Sequence, residues 1–378
     1  MAKNDPKREA ISEILYRELF NSYVRARSGK RSTYDELKYE ANYMQNLAIL
    51  RDDLLENRFE PGRSEVHIIH QPVDREIFAA NFRDRIVHWW VFNWLAPFYE
   101  KRFLYDCYSC RKGKGTLFGI QRLAHHIRSV SQNYTIPTTV VKMDISAFFN
   151  NIPRHNLLNT ILGGVEKMFK GNHNWRYRIL RRTLTKIIMD DPVKGCILKS
   201  PRSEWSKIPR RKSLFFQRKG VGIVIGNLTS QLFSNVYLSR LDYFIVGTLG
   251  YSHYGRYVDD FYFVVPTAQL AQAKVDVEKI KQFLLKLGLG LNPQKIKYLD
   301  INYGVEFLGA VVYPYRIVVG RRLQAQMRQA VYQIIEQGRD LSSLQSYLGH
   351  VMNFNGFKTV LRIFDQYGIY LEEESKII

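Results

Sequence analysis

The sequence predicts an α+β fold in which an antiparallel sheet is backed on one side by helices. Two patterns carry that expectation. Short β-type runs at 138–145, 252–257, 261–265 and 297–312 alternate with longer stretches whose apolar residues recur at helical spacing. With 378 residues and 46% apolar content, the chain is also long enough for two or three subdomains around a sizeable core.

Taken in order, residues 1–60 form a helical lead-in. Ile11, Ile14, Leu15 and Leu19 share a helical face, and a second run over 37–55 ends near Asn57-Arg58. From 61 to 78 the apolar positions shorten and alternate, as in strands of an extended flap. A buried helix over 83–99 follows. It includes the longest apolar stretch, 86–99, which is interrupted by His88 and Asn93 and is too short and too polar to span a bilayer. Next come the Gly- and cation-rich loop YSCRKGKGT and an amphipathic helix over 117–130. The strand 138–145 then leads to helical material from Pro153, a basic insertion at about 170–219, and a helix over 228–241. The hairpin 252–265, a helix over 267–287 and the segment 297–312 follow, and beyond Gly320 the pattern is helical.

The formal charge is +21. Fourteen Lys and Arg fall between Arg176 and Lys219 against three acids, a local +11, with Trp175, Tyr177, Trp205, Phe215 and Phe216 interleaved. A cationic surface carrying aromatic rings suits a polyanion whose bases stack, so nucleic acid is the expected partner and a membrane is not. Three cysteines are too few for a disulfide framework, and the opening MAKNDPKREA is charged where a secretory signal needs an apolar core, so a reducing cytoplasm is expected. No second Cys or His pair accompanies Cys107 and Cys110 at metal spacing, which favours packing for both. Asp190-Asp191, ahead of Pro192, reads as a turn, and His125-His126 as surface or satisfied core.

Two segments bring acids into strands that otherwise exclude them. In GRYVDDFYFV, 255–264, Asp259 and Asp260 interrupt an aromatic and β-branched run, which suits a tight hairpin presenting Asp259 at the rim of a sheet. In VVKMDISAFF, 140–149, an apolar strand ends in Asp144. If the two strands are neighbours, three carboxylates converge, and their burial is offset by divalent cations suited to an in-line phosphoryl displacement.

YVDD preceded by a strand-borne Asp-x-x-x-Phe-Phe resembles the palm of reverse transcriptases, and the resemblance extends over about 60–312. It implies a right-hand polymerase with fingers at 61–137, a palm at 138–312 and a short helical thumb at 313–378. It further implies two Mg2+ ions, replaceable by Mn2+, held by Asp144, Asp259, Asp260 and the main chain of Ile145. REIFAANFRDRIVH nominates Arg75 over the incoming base. YSCRKGKGT nominates Arg111, with Lys112 as a weaker candidate, for the triphosphate. LNPQK nominates Lys295 as general acid, with Lys297 as the fallback. VEFLGA nominates Phe307, Leu308 and Gly309 as the primer grip. Phe148-Phe149 should include the gate against a ribose 2′-OH, Phe149 being favoured, so that the product is DNA.

Within that family, VGIVIGNLTSQLFSN carries Ile225-Gly226 where intron-encoded and retron enzymes usually have Gln-Gly, and Ser230-Gln231 where they have Ser-Pro. The departure resembles reverse transcriptases of diversity-generating retroelements. It implies copying of a template-repeat RNA into cDNA from a DNA or RNA primer and dNTPs, errors at template adenines, and a small accessory protein, in a bacterial, phage or archaeal host. The alternatives are an intron-like, retron-like or abortive-infection reverse transcriptase, or an RNA-binding scaffold without catalysis.

Overall fold

Helical spacing of Leu15, Leu19 and Tyr23 builds the first helix, and their burial fixes its inward face. The computed structural model describes residues 6–28, 33–70, 73–338, 340, 342–354 and 356–369. Helices α1 (Pro6–Arg27), α2 (Tyr34–Glu40) and α3 (Tyr43–Leu55) precede strands β1 (Glu65–Ile69) and β2 (Arg75–Ala79). Helices α4 (Phe82–Glu100) and α5 (Thr116–Val130) lead to β3 (Thr138–Asp144), followed by α6 (Phe148–Asn151), α7 (Arg154–Phe169) and α8 (Trp175–Met189). A two-residue strand β4 (Ile197–Leu198) and short 3-10 turns come before α9 (Leu228–Tyr243), β5 (Tyr254–Tyr257), β6 (Asp260–Pro266) and α10 (Leu270–Lys286). Strands β7 (Lys297–Asp300), β8 (Val305–Phe307), β9 (Ala310–Tyr313) and β10 (Arg316–Val319) precede helices α11 (Arg321–Gln337), α12 (Ser342–Val351) and α13 (Phe357–Asp365).

The chain divides into two compact units, each assembled from three stretches. Unit 1 combines Met1–Leu104, Ile145–Asp242 and Lys281–Gly290. Its first helix is tied to α4 by Glu18, whose Oε2 accepts from the indoles of Trp90 at 2.9 Å and Trp94 at 3.2 Å. Strands β1 and β2 form an antiparallel hairpin, and β4 joins β1 in parallel. Beneath the small sheet, Val66 and Phe78 pack with Leu214 and Val224. The basic segment is therefore regular along α8 and anchored by apolar residues where it turns.

Unit 2 combines Tyr105–Asp144, Tyr243–Ile280 and Leu291–Ile378. Its central sheet has the order β5-β6-β3-β7, antiparallel throughout. On one face Val140, Tyr262 and Val264 pack with Ile120, Leu123 and Ile127 of α5 and with the second sheet, β8-β9-β10. Residues 261–265 are all buried, so both faces of β6 are covered. Helices α11 to α13 close on a separate cluster containing Val319, Met327, Val331, Val351, Val360 and Ile363. Among the described residues no helix is long and apolar enough to cross a membrane.

Candidate active site

The strand register decides where the acids meet. Asp144 at the end of β3 lies directly opposite Asp260 at the start of β6, and residues opposite each other on antiparallel strands project to the same face. Strand β5 pairs Tyr257 with Asp260, leaving Val258 and Asp259 as a two-residue hairpin tip. Val258 has φ +57°, a conformation that costs a β-branched residue about 1–2 kcal/mol. The strain is held by Arg256, fully buried, which donates through Nη1 to the Val258 carbonyl at 3.0 Å and through Nη2 to Cys107 Sγ at 3.2 Å.

These acids are short of partners. Burial pushes the Asp259 carboxyl up to about 6, and repulsion from Asp144 and Asp260 adds to the shift. Burial also raises Asp260, against the attraction of Lys142. Asp260 Oδ2 meets Lys142 Nζ at 3.1 Å, whereas its Oδ1 is buried without a hydrogen-bond partner. Asp144 Oδ2 meets Lys295 Nζ at 2.7 Å. Lys295 arrives there because the Asn292 amide donates to the Asp144 carbonyl at 2.8 Å, and the Asn292 side chain caps the short turn Pro293–Lys295. Among the described residues no three His, Cys, Asp or Glu side chains are arranged to hold a metal ion. The donor set nevertheless fits hard divalent cations: clustered carboxylate oxygens, one of them buried and orphaned.

A family model described as reverse transcriptase (RNA-dependent DNA polymerase) matches residues 75–312, well over half of the chain. The chain belongs to the reverse transcriptase family. Its mixed α+β architecture with antiparallel sheets is that of a right-hand polymerase. Among solved structures it is similar to apo telomerase from Candida tropicalis truncated from the C-terminal domain, with 12% identity and a TM-score of 0.47 over 68% of this chain and 55% of that one. It is similar to apo telomerase from Candida tropicalis at 12% identity and a TM-score of 0.47, over 83% of this chain and 60% of that one. For telomerase from Candida albicans in complex with the TWJ fragment of telomeric RNA the values are 12%, 0.44, 82% and 56%. The reverse transcriptase chain thus spans little more than half the length of these telomerase chains. Among curated protein sequences none matches it.

The remaining residues nominated from the sequence divide between the units. In unit 2 the loop bearing Arg111 and Lys112 runs beside β5, with the Tyr108 amide donating to the Arg256 carbonyl and the Arg256 amide donating to the Asp106 carbonyl, both at 2.9 Å. A buried network supports it: Tyr262 Oη is 3.0 Å from Tyr108 Oη and 3.2 Å from His126 Nδ1, and Arg122 pairs with Asp106. Burial opposes ionisation of Asp106, but hydrogen bonds from His126 and Arg122 prevail and hold its carboxyl well below the usual range. Arg111 Nη1 donates to the Cys107 carbonyl at 2.9 Å, and Lys112 is exposed. Phe307 is buried at the end of β8, and Leu308 and Gly309 form a two-residue tip with φ +51° and +90°.

In unit 1, Arg75 is exposed at the start of β2, Phe148 is buried in α6, and Phe149 is half-buried, its ring centroid 5.2 Å from that of Phe148. Ile145 is buried immediately after β3. The Ile225 carbonyl accepts from the Phe78 amide at 2.8 Å, and Gly226 has φ +130° with the Phe78 carbonyl 2.4 Å from where a Cβ would stand. No other residue fits that position without shifting β2. Gln231 is exposed in the first turn of α9. Lys297 lies on β7 opposite Lys142.

The sequence reading missed Lys142 and Arg256. Lys142 binds Asp260, donates to the Glu306 carbonyl at 3.0 Å and lies 5.4 Å from the centre of the Phe307 ring. It therefore joins the acid hairpin to the β8-β9 hairpin. The available signal was a lysine two residues before Asp144 in an otherwise apolar strand, hence on the acid's own face.

Proposed function

We propose that this chain is the reverse transcriptase of a diversity-generating retroelement, copying a template-repeat RNA into cDNA with errors concentrated at template adenines. The observation that carries the polymerase reading is the cross-strand pairing of Asp144 with Asp260 beside the hairpin tip that presents Asp259. Asp144, Asp259, Asp260 and the Ile145 carbonyl would hold two Mg2+ ions, which supply the positive charge that activates a primer 3′ hydroxyl and stabilises the leaving pyrophosphate. Lys295, held beside Asp144, delivers a proton to the leaving group as general acid. Arg111 and Lys112 bind triphosphate oxygens, and Arg75 lies over the incoming base. Phe149, with a ring only half-buried over buried Phe148, excludes a ribose 2′-OH. Phe307, Leu308 and Gly309 grip the primer.

Residues 61–137 serve as fingers, 138–312 as palm with the basic segment at about 170–219, and 313–378 as thumb. The retroelement assignment is supported by Ile225-Gly226 and Gln231. An apolar Ile225 offers no polar side chain to steady the pairing nucleotide, which weakens geometric selection there. Template RNA, a DNA or RNA primer, dNTPs and a small accessory protein are the partners, in a cytoplasmic setting.

The test gives the purified protein an adenine-containing RNA template, an annealed DNA primer, Mg2+ and dNTPs, and sequences the product beside that of Asp259→Ala. Extension by the unsubstituted protein alone, with errors opposite adenine, is expected. Evenly spread errors, with the native RNA and accessory protein present, would retain the polymerase and remove the retroelement assignment. No extension under those conditions would leave an RNA-binding scaffold.

A further inference from the structure

Most cations of unit 1 that lie near acids are neutralised by them, as in the pairs Arg8–Glu56, Arg51–Asp52, Arg58–Asp53 and Lys186–Glu60. One concavity is different. A groove of about 610 Å3 is lined by Arg102, Lys167, Arg240 and Lys286, and no acidic side chain is among its lining residues. The four cations come from the end of α4, from α7, from α9 and from the end of α10, and all four are exposed. Among the described residues no carboxylate pairs with Lys167, Arg240 or Lys286. Lys167, Arg240 and Lys286, gathered around one concave space without a carboxylate partner, repel one another, and that cost is relieved when an anion enters.

The shape of the groove narrows the choice of anion. Gly163 of α7 is exposed at its wall, and nothing lies within 4 Å of where its Cβ would stand, so a bulky chain can lie close to the helix. Asn156, Asn159, Thr160 and Ser239 add hydrogen-bonding groups suited to phosphate and ribose oxygens. A second concavity of about 450 Å3 shares Phe98 and Arg102 with the first and adds Trp94 and Lys101, so aromatic side chains adjoin the cationic wall. The Arg102 guanidinium lies 3.5 Å from the Phe98 ring centre. Phosphate-binding cations running into aromatic side chains are the pattern of a single-stranded nucleic acid track, in which the backbone is held by charge and the bases stack.

We infer that this groove of unit 1 is a binding site for the sugar-phosphate backbone of single-stranded RNA, separate in its residues from every position assigned to the polymerase site. It rests on the polymerase reading only for the choice of RNA over another polyanion. Binding is therefore read in the absence of dNTPs, so that a failure of polymerisation and a failure of this site remain distinguishable.

The experiment saturates the full chain with a short RNA–DNA primer–template and then titrates a fluorescent single-stranded RNA, following anisotropy at several salt concentrations. The unsubstituted protein is expected to bind the added RNA. Lys167→Glu combined with Arg240→Glu and Lys286→Glu is expected to weaken that binding about tenfold or more and to lower the salt slope by about 2, as loss of three phosphate contacts implies. Extension of the short primer–template should be unchanged. The triple Gln variant guards against misfolding and should weaken binding in the same direction. Unaltered RNA binding in both variants would overturn the inference. Tighter capture of a polyglutamate peptide than of RNA, lost in the same variants, would overturn it in favour of an acidic protein segment.

Discussion

Buried acids are treated in opposite ways at two places in the molecule, around Asp84 and Glu76 of unit 1 and at the β5-β6 hairpin of unit 2. In unit 1 Asp84 is 4% exposed, and both its oxygens are occupied: the Gly62 amide at 2.6 Å and Asn81 Nδ2 at 3.0 Å on one, Arg83 Nε at 3.1 Å on the other. Glu76 in the same unit accepts from the Trp205 indole at 3.0 Å and the Leu214 amide at 2.8 Å. In unit 2 Asp260 has one lysine and a buried oxygen with no partner, and Asp259 is held up near 6 by burial and by its acidic neighbours. A buried carboxylate whose hydrogen bonds are complete ties structure together. One left incomplete on a strained hairpin, beside two further carboxylates, matches the cation site proposed above.

The largest effect expected from that contrast is on activity. Asp259→Asn should lower primer extension by about 1000-fold or more, about 4 kcal/mol on the barrier, while the denaturation midpoint stays level or rises because a buried charge is removed. A matching loss of stability would erase the distinction between the two acid sets. Asp84→Ala should do the reverse. Leaving the Gly62 amide, Asn81 and Arg83 without their acceptor should cost about 3 kcal/mol in urea denaturation, with extension at permissive temperature largely retained.

The third effect comes from His88 of unit 1, which is buried, has Nδ1 within hydrogen-bond distance of Thr229 Oγ1 at 2.8 Å and has its pKa pushed down to about 4 by burial and then by Arg85. Its unfolded pKa is about 6.5, so between those values the unfolded chain binds the proton more readily and stability falls as pH falls. The loss should approach about 3 kcal/mol below pH 4, and His88→Gln should flatten the curve between pH 6.5 and 4. The smallest effect concerns Lys142. Lys142→Met frees Asp260 from the β8-β9 hairpin and should slow extension about tenfold, while making the melting temperature depend more steeply on Mg2+ than that of the unsubstituted protein. An unchanged Mg2+ dependence would mean that Lys142 does not share the charge of Asp260.

Much of this was legible in the residues themselves. Asp144, Asp259 and Asp260 stood out because a buried strand selects against acids, and the spacing of VDD suited a tight hairpin. What the sequence could not supply was the register that sets Asp144 against Asp260, since a slip of one residue would send these side chains to opposite faces. The pairing of β4 with β1 was hidden for a related reason: two residues inside a basic segment carry no periodicity. Gly226 was visible as a glycine, but the Phe78 carbonyl that demands it lies about 150 residues away in the chain. Lys142 escaped notice because its meaning depends on three partners that only folding assembles.

Completion of the unit 2 acids by a divalent cation remains a proposal of this structure. It is tested most directly by electron paramagnetic resonance of Mn2+ added to the folded chain with primer–template present, comparing the unsubstituted protein with Asp259→Asn and Asp84→Asn. Protein-bound Mn2+ is expected in the unsubstituted protein and in Asp84→Asn, displaced by excess Mg2+ and lost in Asp259→Asn. Equal Mn2+ binding by the unsubstituted protein and Asp259→Asn, with both folded, would contradict it.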